Sequence, residues 1–356
     1  FMPTLQALIG LTALIVLWKG GHLVLGGKIS LGALIAFSGY LTQLVWPMIA
    51  LGWVTNIFQR GAASMGRLNY ILNARPSIDD RHAKVADGIR PDGEIEFRNV
   101  TFRYPTTLSG NGSGAAPKTN GPLQRTVLQD INLKIPAGST LAIVGPTGSG
   151  KTTLAALVAR LWEVPEGQVL IDGRPIEDWQ LETLRRSIGF VPQDTYLFGE
   201  TVGGNIAFGL PQYEEHQVRA AAEIASLEGD IQDFTHKYNT VVGERGITLS
   251  GGQKQRAAIA RAVIRDPRIL ILDDSLSSVD TQTEEKILGG LRGIMRGRTT
   301  ILISHRVSTV RAADQIVVLR EGRIVERGTH EELLSRGGYY ADLYHKQLLE
   351  EELERA

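Results

Sequence analysis

Gly145-Pro146-Thr147-Gly148-Ser149-Gly150-Lys151-Thr152 restricts what this chain can fold into more than any other run. Leu141-Ala142-Ile143-Val144 stands directly before it and reads as a buried strand, while Lys151 to Leu161 reads as a helix. A glycine-rich turn between two such elements lets backbone N–H groups turn inward and aims a helix N-terminus at the same point, which suits a phosphate. Lys151 adds a mobile positive charge for phosphate oxygens, and Thr152 a hydroxyl for magnesium. Strands alternating with helices on either side predict an α/β domain with its ligand at the strand ends.

Two further runs carry chemistry. In Ile269-Leu270-Ile271-Leu272-Asp273-Asp274, four apolar residues lead into two carboxylates, as a buried strand does when it delivers acids to a magnesium-nucleotide site. Leu249-Ser250-Gly251-Gly252-Gln253 opens a helix carrying Ala257, Ala260, Ala262 and Val263, and makes a second anion cradle at a helix N-terminus. Phosphate loop, Leu-Ser-Gly-Gly-Gln and Asp-ended strand, in this order, resemble an ATP-binding cassette (ABC) protein. The resemblance implies a P-loop NTPase domain of the ABC type, with ATP and Mg2+ as its ligands.

The resemblance also implies roles. Gly145, Pro146, Thr147, Gly148, Ser149, Gly150, Lys151, Thr152 and Thr153 would hold the phosphates, with Thr152, Gln193 and Asp273 around magnesium. Tyr104, in Phe102-Arg103-Tyr104-Pro105, matches the aromatic residue that stacks on adenine, and His305 matches the histidine that contacts the γ-phosphate. Leu249, Ser250, Gly251, Gly252 and Gln253 would bind ATP held by an opposite subunit. Gly243-Glu244-Arg245-Gly246 resembles the segment that senses the membrane domain, and Ser277-Ser278-Val279-Asp280 the loop that crosses the dimer interface. One position departs from the family: Asp274 stands where a glutamate polarises the attacking water. A base must reach that water, and a misplacement near 1 Å costs on the order of 100-fold in rate. Asp274 is therefore expected to be a weak base, unless backbone adjustment restores the distance.

Ahead of the cassette the composition changes. Over the first 58 residues Lys19 and Lys28 are the only charged side chains. Leu5–Trp18 with its flanks, and Leu31–Phe58, are each long enough to cross a hydrocarbon core of ~30 Å as a helix. Gly20, Gly21, Gly26, Gly27 and Lys28 predict a break between them, hence a transmembrane helical hairpin. A signal peptide is disfavoured by the missing basic n-region and by the second apolar segment. A buried soluble helix pair is disfavoured by the near absence of charge. Arg60, Arg67 and Arg75 follow the second segment and predict a cytoplasmic end, with the nucleotide-binding domain on that side.

The second helix is expected to run on to Leu72 before Pro76 stops it. The domains expected are residues 1–75 as the helix pair with a cytoplasmic extension, 76–92 as linker, 93–338 as the nucleotide-binding domain, and 339–356 as a C-terminal helix. Ile95, Phe97, Val100 and Phe102 predict a strand near the domain's start. Residues 105–126 are too rich in Gly, Pro, Ser, Thr and Asn to pack, and read as a mobile surface insertion with a regulatory role as the other reading. Asn99-Val-Thr101 and Asn111-Gly-Ser113 match the glycosylation pattern, but should not be modified in a cytoplasmic domain.

Lysine plus arginine equal aspartate plus glutamate at 38 each, so no basic surplus points to nucleic acid. With no cysteine, disulfides and thiolate metal sites are excluded. The whole resembles the C-terminal part of an ABC exporter half-transporter of the multidrug or lipid type, a multi-pass protein of a bacterial inner or plasma membrane. That implies ATP-driven export of a small amphipathic or hydrophobic substrate, with a second half-transporter subunit as partner. The expected form is a heterodimer in which this chain's own ATP site is slow. A homodimer with a competent Asp274, a soluble ABC ATPase, and an ATP-gated channel or regulator are the alternatives.

Overall fold

The computed structural model describes residues 2–74, 76–85, 88–105, 126–243 and 249–355. Arg75, Asn111-Gly-Ser113 with almost all of the expected insertion, and Glu244-Arg245-Gly246 lie outside the described residues. The chain divides into two compact units between Pro76 and Ser77.

The first unit is a pair of helices, Met2–Leu25 and Leu31–Leu72. The break is narrower than the glycines suggest. Gly20 and Gly21 lie within the first helix, and the turn is made by Gly27 at φ +68°. Gly20 serves a different purpose: a Cβ there would come within 2.3 Å of Leu34 Cδ1, so its bare backbone lets the helices approach. Ser30 caps the second helix, its Oγ accepting from the Ala33 N–H at 3.1 Å. Trp18, Trp46, Trp53 and Phe58 are all exposed, and no residue of the second helix is buried. Hydroxyls of Thr12, Ser38, Thr42 and Thr55 each donate to a carbonyl four residues back. Apolar helices that turn their side chains outward and satisfy their own hydroxyls suit a lipid solvent. Both are long and apolar enough to cross a membrane. At 1.5 Å per residue the second spans roughly 63 Å, about twice a hydrocarbon core.

Among its described residues the second unit holds ten strands: β1 Ile95–Phe102, β2 Leu128–Ile135, β3 Thr140–Val144, β4 Glu166–Ile171, β5 Arg174–Pro175, β6 Ile188–Val191, β7 Ile269–Asp273, β8 Thr299–Ile303, β9 Gln315–Arg320 and β10 Arg323–Gly328. An antiparallel sheet has the order β2-β1-β4-β5, and a six-stranded sheet the order β10-β9-β3-β8-β7-β6. The latter is parallel except for its edge strand β10. Its central strands are buried on both faces, which is why Ile269–Leu272 is continuously apolar. Leu141, Ile143, Ile269, Ile271, Ile301 and Ile303 face one core, shared with the antiparallel sheet and the helix Lys151–Val158. Ala142, Val144, Leu270, Leu272 and Leu302 face the other, built with the helices Glu215–Ile224, Gly251–Val263 and Thr281–Met295.

Three local features differ from a simple reading. In β1 the spacing from Phe97 to Val100 breaks strict alternation, yet both are buried, because a bulge with Asn99 at φ +50° inserts the extra residue. The helix after the phosphate loop ends at Val158 rather than Leu161, since Arg160 takes φ +46°. Its buried guanidinium bonds Glu163 at 2.9 Å and the Asp79 carbonyl at 3.2 Å. Residues 77–85, read as linker, pack on this unit: Val85 is buried, and the Lys84 and Val85 N–H groups donate to the Asp178 carbonyl.

Candidate nucleotide site

The strand ends converge as the parallel sheet requires. β3 delivers the phosphate loop, β7 the two carboxylates and β8 the loop with His305. A cavity of about 290 Å³ is lined by Tyr104, Thr147, Gly148, Gly150, Lys151, Thr152, Thr153, Gln193, Asp273, Asp274 and His305, with Val127 and Ile303. Tyr104, Gln193 and His305, separated by up to two hundred residues in the chain, thus meet at one place. Val127 and Ile303 carried no signal that sequence reasoning could use, being ordinary apolar residues.

The loop is shaped by its glycines. Gly145, Gly148 and Gly150 have φ of +150°, +77° and +106°. A Cβ on Gly145 would stand 2.1 Å from the Leu319 carbonyl oxygen, and one on Gly150 2.7 Å from Leu128 Cδ2. Lys151 is buried and folds back, its Nζ donating to the Gly145 and Pro146 carbonyls at 2.9 and 3.0 Å. Burial lowers its pKa, and the charges of Asp273 and Asp274 oppose that shift.

Asp273 is 1% exposed. Burial pushes its carboxyl above the usual range, a hydrogen bond with Thr152 works against this, the Asp274 charge adds to it, and Lys151 and His305 counter it. Its Oδ2 and the Ser149 Oγ are buried without a hydrogen-bond partner among the described residues. Buried polar atoms without partners are costly unless a ligand or ion meets them. Asp274 follows at φ +46°, a region Asp tolerates better than most residues, and its N–H donates to the Ile303 carbonyl at 2.9 Å.

Oxygen donors from Thr152, Gln193 and Asp273 fit Mg2+, which takes few protein ligands and completes its shell with phosphate and water. Bound there, it would neutralise developing charge on the phosphates. Tyr104 is held at the edge of the cavity. Its hydroxyl and that of Thr153 are 2.8 Å apart, and its ring packs edge-on against Phe102 and Trp162 at 5.0 and 5.1 Å.

Leu249 to Gln253 do not line this cavity. Ser250 caps the helix Gly251–Val263 in a capping box: its Oγ accepts from the Gln253 N–H at 3.2 Å, and the Gln253 side chain accepts from the Ser250 N–H at 3.0 Å. Gly252 packs on Ser278, where a Cβ would stand 3.0 Å from the carbonyl oxygen. Gln255 bonds Ser277 and the Ser278 N–H, at 3.1 and 3.0 Å. The helix that Ser250 caps and the loop Ser277–Asp280 are thus packed together.

Residues 128–277 match the family described as ABC transporter. The chain is 41% identical, over 98% of its length and 57% of the relative's, to a probable multidrug resistance ABC transporter ATP-binding/permease protein of Bacillus subtilis (strain 168). It is 38% identical to the multidrug resistance-like ATP-binding protein MdlA of Escherichia coli (strain K12), over 100% of this chain and 57% of that one. The ATP-dependent lipid A-core flippase of the same organism is 39% identical over 97% of this chain and 56% of its own length. Among solved structures, a bacterial Atm1-family ABC exporter with ATP bound superposes with a TM-score of 0.75 at 38% identity, covering 96% of this chain and 57% of that one. The chain thus spans little more than half the length of these relatives. It thus has an ABC-type nucleotide-binding domain preceded by two helices that are candidate membrane spans, in the fold of an ABC exporter.

Proposed function

We propose that this chain is part of one subunit of a dimeric ABC exporter, in which ATP binding and hydrolysis drive a small amphipathic or hydrophobic substrate across a membrane. The cavity around Lys151, Asp273 and His305 supports ATP binding, and the names of the relatives support multidrug or lipid cargo. In this reading the phosphate loop and Lys151 hold the β and γ phosphates, Thr152, Gln193 and Asp273 the metal, and Tyr104 the adenine. His305 meets the γ-phosphate. Leu249 to Gln253 complete the ATP site of an opposite cassette, which accords with their place outside this chain's own cavity. The two candidate spans anchor the subunit, with the nucleotide-binding domain in the cytoplasm.

The observation that carries the finer reading is Asp274 at the end of β7. One methylene short of the family's glutamate, it makes this site hydrolyse slowly while a partner subunit, with its own glutamate, turns over the second ATP. The test is Asp274→Glu in the assembled transporter. A higher ATPase rate supports the asymmetric heterodimer; an unchanged or lower rate supports the homodimer with aspartate as a working base.

A further inference from the structure

The C-terminal helix, Tyr339–Arg355, holds the His305 loop by the side chain of Gln347. The Gln347 amide reaches back across about forty residues to the backbone on both sides of Arg306. Its Nε2 donates to the His305 carbonyl at 2.5 Å, and its Oε1 accepts from the Val307 N–H at 2.7 Å. A primary amide offers a donor and an acceptor side by side, whereas an ionised carboxylate only accepts.

The helix is built to aim that amide. Tyr340 is fully buried and its hydroxyl meets His330 Nδ1 at 2.7 Å, while the Tyr339 N–H donates to Glu326 at 2.6 Å. Leu343 and Tyr344 pack on the same core. Tyr340, Leu343, Tyr344 and Gln347 follow the i, i+3, i+4, i+7 spacing of one helix face, so anchoring the first three fixes the fourth. From the other side the loop is held by Glu284, which is buried and receives both Arg306 and Thr309. The His305 ring itself makes no hydrogen bond among the described residues, so its placement in the cavity depends on how its backbone is held.

We propose that Gln347 is a positioning residue for His305: the C-terminal helix sets where the imidazole stands relative to the terminal phosphate, and so how well the site separates ATP from ADP. This rests on the reading of His305 as the γ-phosphate contact.

The experiment is photolabelling of this chain by 8-azido-ATP in the assembled full-length transporter, competed by ATP or by ADP. Label mapped to the peptide that holds Tyr104 reports this chain's own site and needs no turnover. Gln347→Leu, which keeps the bulk and loses both bonds, should raise the ATP concentration needed for half-competition on the order of fivefold, the scale of a sub-ångström misplacement. Competition by ADP should not change, which also shows that the pocket is folded. Gln347→Glu keeps the acceptor for Val307 and should fall between. His305→Ala should match Gln347→Leu, and the double variant should be no worse than either. If His305→Ala weakens ATP selectively while Gln347→Leu does nothing, the positioning role is wrong and the reading of His305 survives. If His305→Ala leaves both nucleotides unaffected, the γ-phosphate reading itself fails and the inference with it. Additive losses in the double variant, or equal losses for ATP and ADP in Gln347→Leu, would also overturn it.

Discussion

The backbone N–H of Asp274 donates to the carbonyl oxygen of Ile303 at 2.9 Å, tying the β7 end to the β8 end two residues before His305. With φ at +46°, Asp274 has little freedom left to slide its carboxylate forward. Compensation by backbone movement would have to break that bond. Asp274→Glu should therefore raise the ATPase rate on the order of tenfold or more at this site, as expected for restored reach. On the slow-site reading, Asp274→Asn should leave the total rate of the assembled transporter nearly unchanged, because the native residue would contribute little. Steady-state phosphate release measures both, and a large loss in Asp274→Asn would count against the slow-site reading.

Asp273 makes a prediction about stability. Its folded pKa is raised by burial, so the nucleotide-free fold binds the proton more tightly than the unfolded chain. The ionised form costs the fold stability above the folded pKa, and that cost fades as pH falls through both values. Asp273→Asn should accordingly stabilise the nucleotide-free protein at neutral pH by about 1 kcal/mol, the scale of a functional site relieved of strain. Its advantage over the wild type should shrink as pH falls into the carboxylate range. Thermal denaturation at several pH values checks this. The same variant should lose the part of ATP binding that depends on Mg2+.

At Gly145 the cost of any side chain is set by Leu319. Gly145→Ala would drive a Cβ into that carbonyl oxygen and impose an unfavourable φ, so a loss of about 2 kcal/mol or more is expected. Gly148→Ala meets open space and carries only the backbone strain of its φ, +77°. Chemical denaturation should rank Gly145→Ala well below Gly148→Ala. Equal stabilities would mean the loop shifts freely.

The helix pair should behave as a bilayer anchor. The protein in membranes should resist carbonate and high salt and come out with detergent, since its tryptophans and leucines are exposed among the described residues. Release by carbonate alone would favour a soluble ABC ATPase.

Much of this architecture is legible from residue order because its chemistry is local. The phosphate loop needs glycines at fixed offsets between a strand and a helix, and the bulge in β1 leaves a trace as the broken alternation at Phe97 and Val100. What sequence reading misses is decided by distant partners. Arg160 ends its helix early because Glu163 and Asp79 are there to receive its guanidinium, and nothing in its neighbours announces that. Gly20 looks like a break and is a helix contact, since only the fold places Leu34 opposite it. Gln347 is an unremarkable polar residue until Tyr340 is seen to fix the face it stands on.

The doubly buried strands carry one last consequence. In a strand that is polar on one side, a slip by one residue exposes the wrong face, and hydrophobicity alone enforces the register. β3 and β7 have no such safeguard, because both their faces are apolar. What marks their alignment is at their ends: Gly145 against the Leu319 carbonyl, and Asp274 bonded to Ile303. The residues that would meet the nucleotide are thus also the alignment marks of the sheet, so a sequence drifting away from ATP chemistry would lose the cues that tell its strands where to stop.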